Sequence, residues 1–191
     1  VNYRKGMVLQ ASGRTYPFVL SHSFGEWFEK YVVDLTERNL YEVNDRGDID
    51  RFPLSSSVGS DTTTNGVRIQ CNALFLPENS DFTTGHPSYF FAYRIKISMD
   101  ENTPTQLACK LRSRTWIIKN AHGVVDTVNG PGVIGQFPVM KPGSTFTYCS
   151  CTNSVTSTGS MEGYFTMQNL STGAEFDARI DPFPLDINNH C

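Results

Sequence analysis

Apolar and polar residues alternate in one segment after another from Gly66 onward. The clearest case is YRIKISM at 93–99, where every second side chain is apolar. Successive side chains of a β-strand point to opposite faces, so a period of two predicts a strand with one buried face. A sheet with one apolar face is stable only when a second layer covers that face. This part of the chain must therefore form layered β-structure.

The predicted strands are short and are separated by turns. Clusters of glycine, proline and asparagine, such as KPGS at 141–144 and STG at 171–173, mark the turns. Many short strands without helices between them favour an all-β fold, an antiparallel β-sandwich. Strands are predicted at 67–75, 93–99, 105–111, 114–120, 122–128, 144–151, 160–169 and 174–180.

An N-terminal helical segment precedes the strands. The letters SFGE at 23–26 have the form of a capping box, which starts a helix. From there to residue 38, apolar residues recur at the spacing of one helix face. A helix this short is marginal alone, so we expect its apolar stripe to pack on the sandwich or on a second copy of the chain. The stripe consists of Phe24, Trp27, Phe28, Tyr31, Val32 and Leu35.

The region at 42–64 carries few large apolar residues and many Asp, Ser and Thr, which predicts a linker. Within it, Phe52 is expected to anchor on the domain that follows. We therefore divide the chain into a helical segment at 1–41, a linker at 42–64 and a β-domain at 65–191. Because the chain starts at Val1 rather than at methionine, we expect it to be part of a longer protein.

The letters GPGVIG at 130–135 match the G-x-G-x-x-G of a dinucleotide-binding loop. Such a loop needs a helix after it, because the helix N-terminus supplies free amides and a favourable dipole. Pro138, Pro142 and Gly143 follow instead, which predicts a turn between two strands. The glycines are then expected to serve positive φ angles or close packing. The alternative is an anion-binding nest of amides at Gly130, Gly132 and Gly135.

The net charge and the spacing of the reactive residues argue against several functions. The net charge of −3 gives no bulk attraction to nucleic acid or to anionic lipid. The five cysteines lack C-x-x-C spacing and the four histidines are scattered, so no metal site is predicted. No Ser-His-Asp, Cys-His or paired-carboxylate arrangement stands out, and we expect no catalytic residue and no cofactor. Glu162 and Asp177 are the candidates for a general acid or base, but outward carboxylates on strands are ordinary.

Several longer segments carry a resemblance to a known family. They are RTWIIKNAHGVVDTVNGPGVIGQFPVMKPGSTFTYCS, STGSMEGYFTM and FDARIDPFPL. The chain from Gly66 to Leu185 resembles the ApaG domain, and this resemblance implies a fibronectin type III-like β-sandwich. The positions that match the family pattern are Trp116, Gly130, Gly132, Gly135, Pro142, Gly143, Met161, Gly163, Phe176, Asp177, Ile180, Pro182 and Phe183.

Within that family, HPSYFFAYRIKISM and SMEGYFTM look most like eukaryotic F-box proteins with a C-terminal ApaG domain, including the Skp-interacting F-box proteins of plants. The upstream segment YPFVLSHSFGEWFEKYVVDL is similar to the end of a SUKH-type domain. The resemblance implies a non-catalytic, substrate-recognising part of a Skp–cullin–F-box ubiquitin ligase in the cytoplasm or nucleus. Its partners would be a protein substrate and a Skp adaptor, the latter bound through an F-box outside this sequence. Nucleic acid and membrane are not implied as partners.

Candidate contact residues come from the segment HPSYFFAYR. Aromatic and arginine side chains dominate the binding energy of protein interfaces, so Tyr89, Phe90 and Arg94 are candidate protein-binding residues. Phe91 and Tyr93 are expected in the core, as is Trp116 or its neighbour Ile117. The alternative function is binding of a small anion of the pyrophosphate type at the GPGVIG loop.

Overall fold

The computed structural model describes residues 8–10, 18–36, 47, 52, 59–83 and 85–188. In these ranges the chain forms eleven strands and one α-helix, α1 (Phe24–Thr36). The strands are β1 (Val8–Gln10), β2 (Phe18–Ser21), β3 (Gly59–Thr64), β4 (Val67–Phe75), β5 (Tyr89–Met99), β6 (Cys109–Asn120), β7 (Val125–Pro131), β8 (Val139–Met140), β9 (Thr145–Ser154), β10 (Thr158–Asn169) and β11 (Glu175–Asp186).

Two antiparallel sheets form the β-domain. One has the strand order β3-β4-β5-β9, and the other has the order β11-β10-β6-β7 with the short β8 also paired to β6. In β5 the alternation YRIKISM places Ile95 and Ile97 fully in the interior, while Arg94 and Lys96 stay partly exposed. The predicted all-β sandwich is confirmed.

The core lies between the sheets and is centred on Trp116 of β6. This side chain is 2% exposed, and its ring packs edge-on against Tyr93, Phe165 and Phe183, with centroids 5.7, 5.7 and 6.2 Å away. Tyr93 comes from the opposite sheet, so the tryptophan joins the two layers. The predictions of a core position for Trp116, Phe91 and Tyr93 are confirmed.

Strand β6 contains a β-bulge that changes which side chains face the core. In its pairing with β10, Leu111 lies opposite Met167 and Ser113 opposite Thr166, so Arg112 is the extra residue. Odd-numbered residues such as Leu111 face inward before the bulge, and even-numbered residues such as Trp116 do so after it. The two strands predicted at 105–111 and 114–120 are therefore one bulged strand, preceded by a 3-10 turn at Thr105–Leu107.

Other boundaries also differ from the predictions: β5 begins at Tyr89 rather than 93, and β11 ends at Asp186 rather than 180. The strand expected at 122–128 begins at Val125, because the Asn120 side chain accepts the amides of His122 and Val124, both at 3.0 Å, and holds a turn there. The sheet also begins before the predicted domain start at 65, since Gly59–Thr64 pair with β4. Most of the remaining predicted linker lies outside the described residues, although Phe52 does lie under the guanidinium of Arg94 at 5.4 Å.

Helix α1 begins as the capping serine predicts. The Ser23 hydroxyl accepts the Glu26 amide at 3.2 Å, and the helix contacts β2. Its predicted end at residue 38 lies outside the described part. Phe24 and Phe28 are 62% and 48% exposed, so the described part of this chain leaves these two side chains uncovered. None of the described helices has the length and apolar character needed to cross a bilayer.

Candidate functional site

The two lateral edges of the sandwich differ in how the sheets contact each other. On one side β11 crosses β3, and the hydroxyls of Thr62 and Thr64 accept the amides of Asp181 and Arg179, each at 3.3 Å. On the other side β7 ends one sheet and β9 ends the other. The first side is closed by hydrogen bonds between sheets, and the second holds a cavity.

The cavity lies between the sheets at the side of β7 and β9 and has a volume of about 290 Å³. Its walls come from β5, β6, β7, β9, β10 and the GPGVIG loop, and β9 contributes the polar side chains of Ser150, Cys151 and Thr152. Arg114 is the residue with a formal charge among those that line it. The apolar walls are formed by Ile118, Val128, Ile134 and Met161.

Arg114 reaches this position because of the bulge in β6. After Arg112, the even-numbered residues Arg114, Trp116 and Ile118 form the inward row and line the cavity together. Without the extra residue, Arg114 would lie on the outer face of the sheet. The bulge therefore turns a cation towards the space between the sheets.

The tyrosines and the tryptophan of the cavity carry buried polar atoms. The Ser150 side chain opposes the rise in the pKa of the Tyr93 hydroxyl that burial causes. Trp116 Nε1 and Tyr148 Oη are buried without a hydrogen-bond partner in the part of the chain that the structure describes. Burial raises the pKa of both tyrosines, while the charge of Arg114 opposes the increase, so both hydroxyls are neutral in neutral solution.

The first glycine of the GPGVIG loop makes room for Arg114. A Cβ atom on Gly130 would lie 2.9 Å from Arg114 Nη1 and 3.2 Å from its Cζ. The same Nη1 donates to the carbonyl of Gly132 at 2.9 Å and to that of Pro131 at 3.4 Å. The loop and the guanidinium thus hold each other in place across the edge of the cavity.

The rest of the loop forms a tight turn between β7 and β8, as predicted, without a helix. Gly132 has φ +57°, and a Cβ there would lie 2.4 Å from the carbonyl oxygen of Gln136. The Gly132 amide donates to Arg112, and the Val133 and Gln136 amides donate to each other's carbonyls. These three amides are engaged within the protein, which weakens the case for an anion nest in the loop.

Ile134 is the strained residue of this turn. It has φ +43°, which is unfavourable for a β-branched side chain, and it is 52% exposed at the cavity. Strained residues of this kind cluster at ligand clamps and active sites, where other requirements hold them. The loop therefore contributes an exposed apolar side chain, rather than a row of amides, to the cavity.

The predicted protein-binding residues lie in the other sheet. On β5, Tyr89 packs against Phe75 and Phe82, with ring centroids 6.2 and 5.2 Å away, while Phe90 and Arg94 lie on the opposite face of the strand and are half-buried. None of the three lines the cavity at β7 and β9. Their role in binding stays a prediction.

The two carboxylates considered for acid–base chemistry lie on the outer face of the second sheet. Glu162 forms an ion pair with Lys119, and Asp177 accepts a hydrogen bond from the Thr166 hydroxyl at 3.0 Å. Both line a wide depression that also includes Tyr164 and Arg179. Among the described residues, no group of three His, Cys, Asp or Glu side chains is placed to hold a metal ion.

The sequence predicts the loop but not the side chains that it supports. Arg114 and Tyr148 fall within the strands predicted at 114–120 and 144–151, where nothing in the alternation marks them. The available signal is the arginine two residues before Trp116 in RTWIIK. Residues two apart in a strand share a face, so an inward Trp116 already implies an inward Arg114.

Comparison with known proteins gives matches of two kinds. The model of the ApaG domain matches residues 79–169. F-box only protein 3 of Homo sapiens is 38% identical over 153 residues, which are 80% of this chain and 31% of that protein. F-box protein SKIP16 of Arabidopsis thaliana is 33% identical over 162 residues, covering 80% of this chain and 37% of that protein. The chain thus spans roughly a third of the length of these two relatives.

The second kind of match covers nearly the whole of the other protein. Protein ApaG of Methylocella silvestris is 37% identical over 123 residues, covering 64% of this chain and 89% of that protein. The crystal structure of the putative ApaA protein from Bordetella pertussis has a TM-score of 0.57 and 31% identity, and covers 63% of this chain and 93% of that one. An X-ray structure from a structural genomics consortium has a TM-score of 0.58 and 33% identity, and covers 64% and 87%.

Proposed function

Because the chain belongs to the ApaG family, we propose that its β-domain is the substrate-recognising, non-catalytic part of a Skp–cullin–F-box ubiquitin ligase. The observation that carries the proposal is the 38% identity with F-box only protein 3, which extends over 80% of this chain. On this proposal, the F-box that binds the Skp adaptor lies outside the sequence, and the β-domain binds the protein to be ubiquitylated in the cytoplasm or nucleus.

The surface of the β-domain supports a binding role. Exposed apolar side chains lie on β7, β8 and the loop between them, and we call them the loop-side patch. Two of them, Val128 and Ile134, line the cavity. Concentrated apolar exposure of this kind is typical of protein interaction sites. The patch consists of Val125, Val128, Ile134, Phe137 and Val139, which are 53%, 38%, 52%, 45% and 41% exposed.

We further propose that the domain starts at β3 and that residues 1–41 are the end of a SUKH-type domain, joined to it by a shortened linker. The candidate contacts Tyr89, Phe90 and Arg94 lie on β5, away from the loop-side patch. Phe90 and Arg94 share one face of the strand and form a second proposed contact surface, which a variant at Phe90 tests separately, while Tyr89 lies on the other face.

The experiment is partner capture with the full-length parent protein. Proteins recovered with it are compared with those recovered by a form that lacks residues 59–188, and each is tested as a ubiquitylation substrate in a reconstituted reaction with Skp and cullin. We expect Phe137→Asp in the loop-side patch to abolish recovery of the specific partners. Leu170→Asp is the matched control, since Leu170 is 49% exposed but lies in the turn after β10.

Recovery of the same partners without residues 59–188 would refute the proposal. Recovery that depends on these residues, without ubiquitylation of any partner, would refute the ligase role.

A further inference from the structure

We infer that the cavity beside Arg114 binds a carboxylate on a short apolar stem, supplied by a glutamate side chain of the partner protein. This inference rests on the proposed protein-binding function and adds the chemistry by which the partner is recognised.

The charge of the cavity favours an anion. Arg114 lines it, and no acidic side chain does so among the described residues. The two hydrogen bonds that hold Arg114 to the loop both come from Nη1, so neither uses Nη2 or Nε. A planar guanidinium presents its donors in a fork that matches the two oxygens of a carboxylate.

The unpartnered polar atoms favour a ligand that accepts hydrogen bonds. The indole Nε1 of Trp116 can only donate, and the neutral Tyr148 hydroxyl can donate as well. Buried donors in native proteins nearly always have an acceptor, and both of these donors belong to residues that line the cavity. A carboxylate supplies acceptors at the place where Arg114 supplies the opposite charge.

The size and the walls favour a short apolar stem below the charged group. Ile118, Val128 and Met161 would contact methylene groups, and Ile134 would cover them from the loop. A volume of about 290 Å³ suits one side chain and is at the lower limit for a small-molecule site.

The hydrogen bonds of the loop favour a carboxylate over a phosphate. Phosphate sites in loops use several free backbone amides, but those of Gly132, Val133 and Gln136 donate to carbonyls of the protein. The donors that remain are side chains, and the planar fork of the Arg114 guanidinium matches the two oxygens of a carboxylate.

The position of the cavity favours a protein as the source. Strand β7 is the last strand of its sheet, and almost all of its residues are exposed. Edge strands present unpaired N–H and C=O groups, to which an extended peptide can add as a new strand. Because Val128 of β7 also lines the cavity, a peptide along β7 would carry alternate side chains past its opening.

The test is a titration followed by ¹H–¹⁵N NMR of the 191-residue chain. Its two tryptophans give two indole N–H signals, of which Trp116 reports on the cavity and Trp27 is an internal control. The probe is a heptapeptide of alternating threonine and valine with a central glutamate, and the matched peptide has glutamine there. We expect the glutamate peptide to shift the Trp116 signal saturably and to leave the Trp27 signal unchanged.

Two variants define the site. Arg114→Gln should weaken binding of the glutamate peptide by about tenfold or more, as expected when a hydrogen bond to a charged group is lost. Arg112→Gln, at the exposed bulge residue two positions earlier, should leave the affinity unchanged. If Arg114→Gln does not fold, Tyr148→Phe replaces it, with a smaller loss of affinity expected.

Several outcomes would overturn the inference. Equal shifts with the glutamine peptide would exclude a carboxylate site, and tighter binding of inorganic phosphate than of butyrate would assign the cavity to a different anion. Binding of butyrate without binding of the glutamate peptide would exclude a protein as the source. If Arg114→Gln leaves partner capture by the full-length protein intact, this inference falls and the proposed function stands. Peptide binding without any captured partner refutes the proposed function instead.

Discussion

At the scale of single residues, two tyrosines of the cavity provide a matched pair. Tyr93 and Tyr148 are each 5% exposed, but the Ser150 side chain acts on the hydroxyl of Tyr93, whereas that of Tyr148 is buried without a hydrogen-bond partner in the described chain. An unpaired buried polar group lowers stability, so Tyr148→Phe should raise the free energy of unfolding by about 1 kcal/mol. Urea denaturation of the ligand-free chain measures this change.

Tyr93→Phe is the control for that experiment. It removes the interaction between the Tyr93 hydroxyl and Ser150 and should lower the free energy of unfolding by up to about 1 kcal/mol. Equal decreases in the free energy of unfolding of the two variants would mean that the Tyr148 hydroxyl has a hydrogen-bond partner in solution. A higher free energy of unfolding for Tyr148→Phe, combined with weaker binding of the glutamate peptide, is the pattern expected of a group kept for binding at the expense of stability.

Single residues also show how far the sequence could predict the site. The glycine letters and the following prolines predicted a turn between strands, because both signals act locally. The unpaired Oη of Tyr148 and the contact of Gly130 with Arg114 depend on residues distant in the chain. The alternation of apolar and polar residues assigns each side chain to one face of its strand. It does not show which side chains contact each other between the two sheets.

At the scale of elements, one bulge explains the main error in the strand assignments. In β6 the inward-facing positions change from odd to even numbers at Arg112. A prediction that assumes constant alternation therefore divides the strand in two there. Pairing with β10 along the whole strand, with β8 before the bulge and with β7 after it, holds both ends of β6 in register. Only the complete sheet imposes that condition, which is why β4, β9 and β10 lie close to their predicted ranges and β6 does not.

The pairing of β10 with β6 gives a prediction for the same sheet. A Cβ atom on Gly163 would lie 2.0 Å from the carbonyl oxygen of Thr115 and 3.2 Å from the Cα atom of Trp116. Gly163→Ala should therefore push the two strands apart beneath the core tryptophan and lower the free energy of unfolding by about 3 kcal/mol. Thermal denaturation measures the loss.

Gly25→Ala is the matched control for the glycine variant. A Cβ atom on Gly25 meets nothing within 4 Å, and alanine favours the helical conformation, so no loss is expected. A melting temperature of Gly163→Ala equal to that of the unmodified chain would show that β10 and β6 do not approach each other so closely.

At the scale of the whole molecule, the β-domain and helix α1 differ in how they are stabilised. The domain buries large side chains from both sheets, whereas Phe24, Phe28 and Val32 of α1 are 62%, 48% and 38% exposed. A helix of 13 residues is marginal in water unless it is packed. We therefore expect the amides of α1 to exchange near the rate of an unstructured peptide. Those of β4 and β5 should be protected by about 5 kcal/mol or more, the scale of global unfolding.

Hydrogen exchange followed by mass spectrometry, at several protein concentrations, tests this expectation. Protection of α1 that matches the protection of β5 at all concentrations would mean that the sandwich itself covers the stripe, contrary to the exposure of Phe24 and Phe28. Protection that grows with concentration would mean that a second copy covers it. Phe28→Lys distinguishes the last case, because a charge in the stripe should remove the dependence on concentration and leave the exchange of β5 unchanged.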